Sequence, residues 1–125
     1  MQIMKKALAA GATVALVTTT ALVAGATPAS AAVYGCAYPR VCFYKTRADW
    51  LAARPTASYR DYGYQRLGSA STNAYAIFNS RGDDGAKYYS RTPPGSESTT
   101  CLGPLQTIFV TYAYALDIRN DPGCR

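Results

Sequence analysis

Four cysteines, Cys36, Cys42, Cys101 and Cys124, follow what reads as an export signal, and histidine is absent from all 125 residues. An even cysteine count in a short exported chain is the setting in which disulfides form, and they staple a core too small to stand alone. The signal reading rests on Lys5 and Lys6, an apolar stretch from Ala7 to Ala26, and the small-x-small site Ala29-Ser30-Ala31. Removing residues 1–31 from 125 leaves 94, enough for one domain over 32–125 and no second. A secreted, extracellular protein with no membrane anchor is expected.

Three cysteine pairings are possible, and sequence distance favours Cys36 with Cys42 and Cys101 with Cys124, since each closes a local loop. Zinc is not expected, because the thiols lack the close paired spacing of a zinc site and no histidine can join them. Asp83-Asp84 lacks the further oxygens that calcium needs. No cofactor is expected. The missing histidine also removes the usual general base and the Ser-His and Cys-His arrangements. A carboxylate pair drawn from Asp49, Asp61, Glu97 and Asp117 would need a cleft that 94 residues rarely build. The chain is read as a binding protein and not as an enzyme.

Strand signals dominate the pass along the chain. Val41 to Lys45 is β-prone, and Thr46 to Pro55 offers one turn of helix capped by Thr46 with Asp49 at its third position. Ala57 to Arg60 is extended, and Tyr64 to Asn73 reads as a loop or surface connection. Ala74 to Asn79 and Ala86 to Arg91 read as a hairpin around the turn Arg81 to Gly85, whose Arg81-Gly82-Asp83 is taken as solvated turn chemistry. After the turn Thr92 to Ser96 comes a polar strand, Ser98 to Leu102, and then a closing β-prone run from Leu105 to Arg119. The class expected is all-β, a small disulfide-stapled sandwich or Greek-key domain.

All eleven tyrosines lie after Val33, and strand alternation around Tyr75 and Tyr112 to Tyr114 expects most of them to fill or flank the core. The nine mature arginines are scattered singly, with no basic run, so nucleic acid is not an expected partner. A monomer is expected.

Cys36-Ala-Tyr-Pro-Arg-Val-Cys42-Phe-Tyr, then Tyr59-Arg-Asp-Tyr-Gly-Tyr-Gln-Arg-Leu-Gly68, then Ala76-Ile-Phe-Asn79-Ser before a glycine turn, occur in that order. In these elements the chain resembles the secreted actinobacterial peptidase-inhibitor family with a β/γ-crystallin-like fold, which includes metalloproteinase inhibitors. The resemblance spans Cys36 to Cys124. It implies a β/γ-crystallin-like Greek-key domain that inhibits a secreted protease, a metalloprotease among the targets. Two departures stand out. Ser71 to Ala76 lacks the acidic and Ser-Ser pattern of calcium-binding crystallin motifs, and Cys101 and Cys124 enclose 22 residues where the known inhibitors close a small ring.

The inhibitory loop is expected at Arg91, Thr92, Pro93, Pro94, Gly95 and Ser96, because two prolines restrict its free ensemble. The turn Arg81 to Gly85 is the second candidate. The rival reading is a non-inhibitory secreted or envelope-associated binding module whose aromatics contact polysaccharide or protein.

Overall fold

In the computed structural model residues 32–125 are described, and the signal-peptide reading of 1–31 lies outside them. Eight strands and one short helix follow in order: β1 Val41–Tyr44, α1 Arg47–Leu51, β2 Ala57–Tyr59, β3 Gly63–Arg66, β4 Ala76–Asn79, β5 Ala86–Thr92, β6 Ser96–Leu102, β7 Thr107–Phe109 and β8 Ala113–Ile118. They form two four-stranded antiparallel sheets, ordered β2-β1-β4-β7 and β3-β8-β5-β6. The protein is therefore a small all-β sandwich, stapled by Cys36–Cys42 and Cys101–Cys124.

The two halves of the domain repeat each other. Shifting β2-β1-β4 by four strands along the chain gives β6-β5-β8, and each half places its third strand, β3 or β7, in the other half's sheet. The registers agree. Tyr44 pairs with Ala76 as Tyr89 pairs with Ala115, and Phe109 lies opposite Ala76 as Arg66 lies opposite Ala115. A sequence echo marks the fourth strands: Thr72-Asn73-Ala74-Tyr75-Ala76-Ile77 against Thr111-Tyr112-Ala113-Tyr114-Ala115-Leu116.

Because side chains alternate along a strand, each sheet sends one set inward. Val41, Phe43 and Ile77 meet Tyr88, Leu102, Leu116 and Ile118 in the inner core. A second cluster, Cys36, Cys42, Tyr44, Ala76 and Phe78, covers the outer face of the first sheet, with Trp50 of α1 packed against it. The five-residue helix is held by its capping box, in which Asp49 N donates to Thr46 Oγ1 at 3.2 Å and Thr46 N donates to Asp49 Oδ2 at 3.1 Å. Packing of Trp50 supplies what so short a helix lacks by itself.

Three local expectations change. The two strands around Arg81 to Gly85 are not a hairpin, since β4 and β5 belong to different sheets and the segment between them crosses the sandwich. Residues 63–66 form a strand rather than a loop, paired with β8 from Gly63 opposite Ile118 to Arg66 opposite Ala115. The closing β-prone run is broken at Val110 and Tyr112, whose φ of 56° and 49° are left-handed. The strain of a β-branched residue there is offset by Val110 N donating to Tyr75 O at 2.6 Å and Thr111 Oγ1 donating to Ala74 O at 2.9 Å. That break carries the chain from one sheet to the other.

Candidate functional site

The tip of the β5–β6 hairpin is the most exposed structured loop of the sequence-derived candidates. Its strands pair over seven residues, from Ala86 opposite Leu102 to Thr92 opposite Ser96, while β8 supports β5 only as far as Ser90. Beyond Arg91, whose N–H still donates to Tyr112 O at 3.0 Å, the tip runs past the sheet, and Arg91, Thr92, Pro93, Pro94, Gly95 and Ser96 are all exposed. Gly95 closes the loop with φ 146°, a conformation that favours glycine, and its N–H donates to Thr92 O at 2.7 Å.

Glu97 braces the tip from below. One carboxylate oxygen accepts from Arg91 Nη2 at 3.1 Å and the other from the Tyr114 hydroxyl at 2.9 Å. The tyrosine bond, then the arginine bond and charge, hold the Glu97 carboxyl below its ordinary range, and the same bond raises the Tyr114 phenol. Arg91 also lies over the Tyr114 ring, 5.1 Å from its centroid. At the root, Cys101 sits opposite Lys87 and is bonded to Cys124 across a Cα separation of 5.8 Å. Cys36 and Cys42, 5.9 Å apart, staple the N-terminal segment to β1.

Beside the tip lies an open cleft of about 450 Å³, lined by Lys45, Arg47, Tyr75, Arg91, Pro93 and Tyr112 among others. Val110 and Asn73, both left-handed, also line it. No carboxylate lines it, and the Lys45 ammonium donates to Thr72 O. A positive, partly apolar recess of this kind accepts an acidic group on a larger body and repels a metal cation. Among the described residues no three His, Cys, Asp or Glu side chains converge.

The second candidate loop is not available for docking. Arg81 and Asp84 are buried, and only Gly82 and Asp83 of the segment reach solvent. Arg81 Nη2 donates to Arg60 O at 3.0 Å, Nη1 lies 3.7 Å from Asp84 Oδ2, and the guanidinium stands 4.7 Å over the Tyr62 ring. The Tyr62 hydroxyl donates to Asp84 Oδ2 at 2.7 Å, and that bond raises its pKa. These charges secure the crossing between sheets instead of being solvated.

Asn79 stands in one of the motifs that carry the resemblance, but the sequence assigns it no role. Its buried amide donates to the carbonyls of Asp84, Leu102 and Gly103 at 2.8, 3.2 and 3.1 Å, and Oδ1 accepts from Arg81 N at 3.0 Å. An asparagine ending an apolar strand before a glycine turn is the available signal. Comparison with known proteins yields no matching family model, and neither curated proteins nor solved structures give a match.

Proposed function

We propose that this protein is a secreted peptidase inhibitor, directed at metalloproteases, that presents the hairpin tip Arg91 to Ser96 to the protease cleft. The observation that carries the reading is the overhanging tip, stiffened by two prolines and braced by Glu97, with a disulfide at its root. A loop already held in its bound shape loses little entropy on docking and leaves slowly. The family resemblance supports the same reading. So does the strand order: in each half the first, second and fourth strands stand as 4-1-2, the order of a Greek key whose third strand has crossed to the other sheet. Two disulfides suit an oxidising extracellular compartment. Among the described residues no helix is long and apolar enough to cross a membrane.

The test is titration of a thermolysin-like metalloprotease, a serine protease and a cysteine protease with the purified protein. Stoichiometric loss of metalloprotease activity, with the inhibitor intact and with Pro93→Gly/Pro94→Gly weaker at unchanged fold, is the expected result. No inhibition of any class sinks the reading. A non-inhibitory envelope-associated module is the alternative, and the uncovered outer face of the second sheet favours it.

A further inference from the structure

The outer face of the second sheet is bare where its counterpart is covered. Tyr64 on β3, Tyr89 on β5 and Tyr114 on β8 stand together on it, with ring centroids 5.3 Å apart for Tyr64 and Tyr89 and 6.4 Å for Tyr89 and Tyr114. Arg66 and Arg91 lie over the Tyr114 ring at 5.6 and 5.1 Å. Tyr64 and Arg66 are exposed, and Tyr89 and Tyr114 are half-buried. Across the three adjacent strands that carry the rings, β3, β8 and β5, the face spans roughly 10 Å, longer than a single sugar ring.

Its charges are unequally matched. Glu97 is taken up by Arg91 at 3.1 Å and Asp117 by Arg119 at 3.2 Å, while no carboxylate among the described residues comes within 4.0 Å of Arg66 or Lys87. Two free cations thus flank the tyrosines. Amphipathic rings stack on the C–H faces of sugar rings and hydrogen-bond their hydroxyls, and unpaired cations select chains that carry acidic groups.

We propose that this face, built on Tyr64, Tyr89 and Tyr114 with Arg66 and Lys87, binds an anionic polysaccharide. The site faces away from the exposed tip Thr92 to Ser96, with Arg91 and the Tyr114–Glu97 hydrogen bond shared at the border. A nucleic acid strand also pairs rings with negative charge, but the export signal read in the sequence, on which this choice rests, would place the protein among glycans, and the two classes are separated by experiment.

Affinity electrophoresis of the purified protein through gels containing polygalacturonate, dextran sulfate, neutral dextran or single-stranded DNA reads the proposal directly. Retardation by either acidic polysaccharide, weakening as salt rises, is expected, with polygalacturonate and dextran sulfate distinguishing carboxylate from sulfate as the anion. Tyr64→Ala and Arg66→Gln should each weaken it about tenfold at unchanged thermal stability. Pro93→Gly/Pro94→Gly should leave it unchanged, which separates this site from the inhibitory tip. Equal retardation of the Tyr64→Ala/Arg66→Gln double variant and the parent overturns the proposal. So does equal retardation by neutral dextran, retardation by DNA alone, or none at all.

Discussion

The outer faces of the two sheets have the same strand order and register, yet one is a second core and the other is a surface. On the first, Cys42, Tyr44, Ala76 and Phe78 are buried beneath Tyr34 and Trp50, whose rings lie 4.7 Å apart, and Trp50 also meets Phe109 at 5.3 Å. The equivalent positions on the second are Lys87, Tyr89, Ala115 and Asp117, with Arg66 in place of Phe109. Cys42 and Phe78 gain by being covered, whereas charges at Lys87 and Arg66 would lose hydration under a lid; Phe109 at the rim of the first face stays 46% exposed, and Asp117 on the second is buried beside Arg119. The same backbone thus acquires a covered face and an open one, because the N-terminal segment and Trp50 pack over only the first.

Removing a ring from the covered face is expected to cost most. Phe78→Ala should destabilise the protein by about 3–5 kcal/mol in urea unfolding, against about 1 kcal/mol or less for Tyr89→Ala on the bare face. Equal costs would break the comparison. Next comes the staple of the lid: Cys36→Ser/Cys42→Ser should cost about 2 kcal/mol by loop entropy, and it should shift Trp50 fluorescence toward that of an exposed indole.

Alkaline pH sharpens the contrast. Burial, and then the neighbouring Tyr34, push the Tyr44 phenol up to about 12 from its ordinary 10.0. Below pH 10 the phenol is protonated in both states. Between about 10 and 12 the unfolded chain releases a proton that the folded one keeps, so stability falls with rising pH across that window. Stability followed by denaturant midpoint should show this slope, and Tyr44→Phe should flatten it. The smallest effect belongs to the exposed ring: Tyr64→Ala should move the midpoint by no more than about 0.5 kcal/mol in free energy.

Much of this architecture is written locally. β1, the Thr46 cap with Asp49, the hairpin around Pro93-Pro94-Gly95 and the Cys36–Cys42 disulfide each rest on signals within a few residues, and Cys101–Cys124 follows once the first pair is made. The crossing at Arg81 to Gly85 was illegible for a physical reason: turn composition encodes a change of direction, not which sheet receives the next strand. Burial of Arg81 follows from that choice. The break at Val110 to Tyr112 opposes every local preference of a β-prone run, and contacts to Tyr75 and Ala74 decide it.

The candidate tip was legible as a loop, but its overhang depends on where β8 begins, and its brace on Glu97 meeting Tyr114 across 17 residues. The alternating apolar strands, the paired cysteines and the turn residues determined a stapled all-β domain, because each acts through neighbours in sequence or through closure of a short loop. Which aromatic face would be covered and which left to solvent was decided only in the tertiary structure. That outcome needs β3 and β7 to exchange sheets and the N-terminal segment with α1 to close over one side, contacts between residues far apart in the chain.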